Sequence, residues 1–134
     1  HLWIVNHDDG TVSRTDPITG AHEDFPVGPW PRGVVFDGTD IWVISNLDDE
    51  LSRLNTATGS RVVYPTDAGP TAIAFDGAAI WVAYSGSDTV SRFSRSTGAR
   101  TTAILIRHSA VRCDGRTGEG PGSRSAGICA GSRQ

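Results

Sequence analysis

Three short stretches carry the side chains with the makings of a site: Asn6-His7-Asp8-Asp9, Asn46-Leu47-Asp48-Asp49-Glu50 and Ser85-Gly86-Ser87-Asp88. Their carboxylates (Asp8, Asp9, Asp48, Asp49 and Asp88) are hard oxygen donors of the kind a divalent cation takes. Trp30, in Val27-Gly-Pro-Trp-Pro-Arg32, offers a flat ring for stacking a cationic ligand. His7 is the side chain here suited to act as a base or a ligand. The plainer account is that Asp and Asn are good turn formers, because they hydrogen-bond their own backbone amides. Acids recur at this turn in at least two of the stretches, which favours the turn role, and His7 is matched by Asn46 and Ser85, ordinary turn residues.

What positions these side chains is a repeat of 39 residues. Trp3, Trp42 and Trp81 fall on it, as do Ser13-Arg14, Ser52-Arg53 and Ser91-Arg92, and Thr19-Gly20, Thr58-Gly59 and Thr97-Gly98. No insertion or deletion breaks the spacing. A period of about 40 residues marks a stacked or radial array in which each unit buries its apolar face against its neighbours.

Each full copy reads as four short strands. In the second copy these are Gly33 to Asp37, Ile41 to Ser45, Leu51 to Asn55 and Ser60 to Tyr64; in the third, Thr71 to Asp76, Ile80 to Tyr84, Val90 to Ser94 and Arg100 to Leu105. Asp37-Gly38 and Asp76-Gly77 supply tight turns, since Gly accepts positive φ without a Cβ clash. No window long enough for a helix shows apolar residues at 3.6 spacing, so the chain is all-β. Runs such as Ile41-Trp-Val-Ile44 have no polar break, which predicts that the first two strands of each copy are covered on both faces. The third strands alternate and suit a place nearer the rim. The recurring Arg14, Arg53 and Arg92 read as structural, pairing across repeats with Asp37 and Asp76; the recurring tryptophans read as packing between repeats.

Pro70-Thr-Ala-Ile-Ala-Phe-Asp-Gly77, Ile80-Trp-Val-Ala-Tyr84, Asp88-Thr-Val-Ser-Arg92 and Ser96-Thr-Gly98, with their copies one period upstream, resemble the bacterial β-propeller repeats of the YVTN and NHL type, and more distantly those of streptogramin B lyase. The resemblance covers residues 1 to about 106. It implies a partial propeller of about three four-stranded blades: blade 1, incomplete, over 1–27, blade 2 over 28–66 and blade 3 over 67–106. Propellers have roughly four to eight blades, so three do not close a ring. On the usual propeller course, the loops between second and third strands share a face with the segments Val27 to Arg32 and Thr66 to Pro70, giving an acidic rim that bears Trp30. The resemblance also implies an exported bacterial protein, secreted or periplasmic; the stretch from His1 lacks the charged and apolar regions of a signal peptide.

Residues 107–134 break the pattern. Ser109 to Gly115 is a damaged first strand of a fourth blade, and the rest is rich in Gly, Arg and Ser. The 1–106 segment holds 13 acids against 7 arginines; the tail holds 5 arginines against Asp114 and Glu119. So polar a segment buries too little to offset its ordering entropy and is expected to be disordered, and the abrupt loss of the repeat points to a truncated or frame-shifted end. Cys113 and Cys129 both lie there with fifteen residues between them, matching no zinc or redox spacing. The arginines are sparse and no aromatic is interleaved with them, which argues against nucleic acid as a partner. No apolar run approaches membrane-spanning length.

Two functions follow. The first is a noncatalytic binding or interaction module that offers its loop face to a protein, peptide or glycan. The second, which rests on the resemblance, is a Mg-dependent lyase or hydrolase of the streptogramin B lyase type. That family uses a histidine base and a metal-binding acid on separate blades near the axis, and His7 with Asp48 or Asp49 is the pair the resemblance offers. No flanking motif maps those residues individually. Three blades are also half of a six-bladed ring, so open blade edges predict self-association, with Ser109 to Cys113 completing the partner's first blade.

Overall fold

The computed structural model describes residues 1–105, and expectations for the tail, its cysteines and the strand at Ser109 lie outside them. Eleven strands make up the described chain: β1 Leu2–Asn6, β2 Thr11–Thr15, β3 His22–Pro26, β4 Pro31–Phe36, β5 Asp40–Ser45, β6 Glu50–Asn55, β7 Arg61–Pro65, β8 Pro70–Phe75, β9 Ala79–Tyr84, β10 Thr89–Ser94 and β11 Arg100–Leu105. They form three antiparallel meanders, ordered β1-β2-β3, β4-β5-β6-β7 and β8-β9-β10-β11. The first sheet lacks the strand equivalent to β4 and β8, so β1 is its edge.

Two cores lie between the sheets, and the pleat decides which residues enter each. Ile41 and Val43 of β5 point to one side, where they meet Val12, Phe25 and Val27 of the first sheet and Leu54. Trp42 and Ile44 point to the other, where Leu51 and they meet Ile80, Val82, Tyr84 and Phe93 of the third sheet. All six residues of β5 are buried. Each fully buried aliphatic chain contributes about 2 kcal/mol, so the middle blade is held from both faces. Trp3 packs in the first core, where its ring centroid lies 6.0 Å from that of Phe25, and Trp42 occupies the second. The inter-blade role expected for these two tryptophans is what the packing shows.

Of the first strands, β4 is covered on both faces as expected, with Val34 packed against the first core and Val35 against the second, although it is only half-buried and Phe36 is 52% exposed. β8 packs Ile73 and Phe75 on the second core and leaves Ala72 and Ala74 exposed. The third strand does lie nearer the outer edge than the first two, as expected, but it is not exposed there. β6 lies between β5 and β7, with Leu51 buried toward the third sheet and Leu54 toward the first, while β7 is the exposed outer strand.

Nor do the repeated arginines pair with Asp37 and Asp76. Asp37 Oδ1 accepts the amides of Thr39 and Asp40, both at 2.8 Å, and its Oδ2 accepts the Trp42 indole N–H at 2.7 Å. Asp76 repeats this with Ala78, Ala79 and Trp81. Each acid thus caps its own hairpin and fixes the tryptophan that enters the blade interface. The arginines find other partners: Arg14 donates to Glu23 at 2.7 Å, Arg53 to Asp40 at 2.6 Å and Arg92 to Thr101. Position 40 is Asp only in the middle copy; Ala79 replaces it in the third, so the same arginine must pair differently. Across the blade boundary, Arg95 reaches Asp37 at 3.9 Å and Arg53 donates to the Ser96 carbonyl.

Candidate functional site

The turn between the second and third strand of each blade is hydrogen-bonded to the segment that leads into its own blade or to the one that leads to the next. Val27 N–H donates to the Gly10 carbonyl, Asn46 N–H to that of Trp30, Thr66 N–H to that of Asp49 and Ser85 N–H to that of Gly69. One end of the molecule therefore gathers all the residues singled out above. The opposite end carries turns closed by Asp16, Asn55 and Ser94, whose side chains accept amides two or three residues on. Those side chains only close turns.

At the gathered end the repeat separates ordinary turn residues from exceptions. Gly10, Asp49 and Asp88 occupy one equivalent position, and all three are left-handed, with φ of 66°, 53° and 51°. Asp tolerates that conformation better than most side chains. Asp49 also accepts the Gly69 amide at 2.8 Å, tying its turn to the next segment. Asp49 and Asp88 are thus fitted to the turn itself. Asp9 and Asp48 are exposed and equivalent to one another.

His7, Asp8 and Trp30 are the exceptions. Asn46, the counterpart of His7, ties its turn to the next blade by donating to the Pro70 carbonyl at 3.0 Å. His7 instead stacks on Trp30, with centroids 5.4 Å apart and planes at 27°, and its Nδ1 lies 2.8 Å from Asp8 Oδ1. Trp30 stands where the next copy has Gly69. Both are left-handed, at φ 52° and 72°, although only the glycine is free of Cβ strain. Trp30 is 47% exposed, and side-chain exposures of His7 and Asp8 are 47% and 95%. Trp30 is thus a large apolar residue, about half exposed and in a strained backbone conformation, that belongs to neither apolar core.

Not all the candidates come together. His7 takes Asp8 as its carboxylate partner rather than Asp48 or Asp49, and among the described residues no three His, Cys, Asp or Glu side chains are grouped to hold a metal ion. Two further acids at this end are neutralised locally: Glu50 by Arg61 at 3.0 Å, and Asp67 by a two-point contact with Arg100. The Arg100 guanidinium and its own burial act in opposite directions on the Asp67 carboxyl, and the arginine wins, holding it below the usual range. A separate cleft of about 380 Å³ opens between the second and third blades, lined by Tyr64, Thr66, Phe93, Gly98 and Arg100. Sequence reasoning did not anticipate that cleft; Tyr64 and Gly98 lie 34 positions apart, and nothing in the repeat signals their approach.

The fold is that of a β-propeller, of which the described residues form three blades. No protein-family model matches the sequence, and no curated protein matches it. Among solved structures, streptogramin B lyase superposes with a TM-score of 0.67 at 18% identity, over 81% of this chain and 38% of that one. A putative 6-phosphogluconolactonase from Bacteroides fragilis NCTC 9343 gives 0.62 at 16% identity, over 78% and 35%, and one from Bacteroides uniformis ATCC 8492 gives 0.56 at 15%, over 78% and 37%. The chain spans under two fifths of each of these structures. At such identities the likeness carries the fold and not the chemistry.

Proposed function

We propose that this chain is part of a noncatalytic propeller binding module of the bacterial YVTN/NHL type, working outside the cytoplasm. Its ligand surface is the loop end around His7, Asp8 and Trp30. One observation carries the reading: the side chains that depart from the repeat at this end touch each other and lie in solvent. In a repeat protein the recurring residues build the scaffold, so departures that cost conformational energy point to selection for something else. A flat indole next to a carboxylate suits a basic side chain of a peptide or protein, held by cation–π and charge attraction, or the apolar face of a sugar ring. Binding of Lys- and Arg-containing peptide arrays and of glycan arrays tests this. Trp30→Gly, which restores the residue of the next copy, should abolish binding and leave the fold intact. Binding by that variant equal to the parent would refute the assignment.

A second reading keeps the lyase or hydrolase. It is favoured by the His7–Asp8 contact, because a carboxylate beside an imidazole is how a general base is oriented. Its requirement is Mg-dependent turnover of a cyclic ester or lactone that disappears in His7→Ala. Turnover absent across such substrates leaves the binding module.

A further inference from the structure

Leu47 is a further departure from the repeat at the loop end, and it stands next to the segment that carries Trp30. Its counterparts are Asp8 in the first blade and Gly86 in the third, so the turn demands no apolar side chain there. It is 55% exposed, belongs to neither core, and follows Asn46, whose N–H donates to the Trp30 carbonyl at 3.1 Å. Trp30 is therefore flanked by two turns, with His7 and Asp8 of the first blade on one side and Asn46 and Leu47 of the second on the other. This junction lies between two described blades rather than at either end of the array. Charge decides what can cover the apolar pair. Arg61 and Arg100 are held by Glu50 and Asp67. Asp8, Asp9 and Asp48 are exposed, and Arg32, exposed near the start of β4, offsets one of these three charges at most. A partner that covers Trp30 and Leu47 takes carboxylates out of water, which is costly unless cations come with it. A neutral sugar brings none.

We infer that the loop end takes an extended peptide segment, in which a Lys or Arg side chain lies against Trp30 and Asp8 and an apolar side chain of the same segment packs on Leu47. This rests on the binding role proposed above and narrows its ligand to one of the two chemistries named there. His7 covers one side of the indole, and the 47% of Trp30 left in solvent is what the cation meets. The indole and the carboxylate supply cation–π and charge attraction; Leu47 supplies an apolar contact that a lone basic side chain does not use. Asp9 and Asp48 attract further basic residues of the segment, a contribution that salt screens.

The test measures binding of the full 134-residue chain to fluorescein-labelled Ala/Gly peptides that carry one Arg and one Leu at every spacing. Peptides with Arg alone, with Leu alone and with Glu in place of Arg are the comparisons, beside an array of neutral glycans. At the favoured spacing the Arg–Leu peptide should bind about tenfold tighter than either single-residue peptide, and the Glu peptide should not bind. Leu47→Ala should bring the Arg–Leu peptide down to the level of the Arg-only peptide, Trp30→Gly should abolish its binding, and added salt should weaken it. Both side chains lie outside the cores, and circular dichroism checks that strand content is unchanged in each variant. Neutral glycans bound through Trp30, with no Arg–Leu peptide bound, overturn this inference and leave the binding role standing. Arg–Leu peptides bound equally by the parent and Leu47→Ala also overturn it. If no peptide and no glycan binds, the binding role falls with it.

Discussion

Gly20, Gly59 and Gly98 close the same turn in the three blades with almost the same backbone, φ of 73°, 73° and 74°. Their surroundings differ. Nothing lies within 4 Å of a Cβ built on Gly20 or Gly59, whereas a Cβ on Gly98 would overlap the ring of Tyr64 in the neighbouring blade. Tyr64 has little room to retreat, since its ring stacks on Trp42 at 5.9 Å and 22°. Replacing each glycine by alanine therefore separates backbone strain from blade packing. The left-handed conformation costs a residue with a Cβ about 1–2 kcal/mol, common to all three variants. At Gly98 overpacking adds about 1–3 kcal/mol.

Urea unfolding of the three variants measures the difference. Gly20→Ala and Gly59→Ala should fall together, about 1 kcal/mol below the parent, and Gly98→Ala about 1–3 kcal/mol lower still. For a domain of this size each kcal/mol corresponds to roughly 4–8 °C in Tm. Because the cause is a clash with one ring, Tyr64→Ala and Gly98→Ala should be strongly non-additive in a double-mutant cycle, the second substitution costing less once the ring is gone. If the three alanines are equal within about 0.3 kcal/mol, the second and third blades do not abut at this edge, and the blade geometry described here is wrong.

Other outcomes follow from the same contacts. Arg53→Met should cost about 3 kcal/mol in urea unfolding, because Asp40 is 3% exposed, its Oδ1 has no hydrogen-bond partner, and losing the arginine strands a buried carboxylate; Asp40→Asn in the same background should recover part of it. Trp30→Gly should raise stability by about 1 kcal/mol by relieving left-handed strain, even as it removes the proposed ligand surface, and a loss of stability would mean that the stack on His7 supports the fold. Acid should destabilise the chain in a defined window. The Trp81 indole N–H, followed by the amides of Ala79 and Ala78, holds the Asp76 carboxyl at about 2. At Asp37 burial pushes the carboxyl up, but the Asp40 amide, the Trp42 indole, the Thr39 amide and Arg95 outweigh it and leave it low. Both groups bind protons less readily folded than unfolded, so their contribution is complete above the unfolded value of 3.8 and is lost as pH falls toward 2. The urea midpoint should drop between pH 4 and 2, and Asp76→Asn should flatten that drop; an unchanged slope refutes the assignment.

The 39-residue period made the fold legible, because strands covered by neighbours on both sides show unbroken apolar runs and their turns show Asp-Gly. Less legible was which polar groups pair. Asp37 and Arg53 recur together in sequence, which invited pairing them, yet the hairpin turns the Asp37 carboxylate onto the indole of Trp42, five residues on, while Asp40 lies directly across β5 and β6 from Asn55 and beside Arg53. Register, which no spacing argument resolves to one residue, decides such matters. The site was legible only as a loop cluster. What singled out His7 and Trp30 within it was the backbone: the third copy holds a glycine at the left-handed position where the second holds a tryptophan, and Asn46 makes a tether that His7 does not.

That contrast bears on how a repeat scaffold acquires activity. Asp37 and Asp76, Trp42 and Trp81 are interchangeable between copies because each makes the same local bonds, so none can distinguish one blade's surface from the next. A ligand that recognises one blade must read residues the period does not dictate. Those residues are tolerated where the loop end is in solvent and the blade interface is remote, since an error there strains one turn and leaves both apolar cores intact. Trp30 satisfies both conditions: its ring is outside either core, and its strain is confined to the segment joining β3 to β4. The same logic makes Leu2 and Trp81 poor candidates for a small ligand and good ones for a further blade, because the period does dictate them.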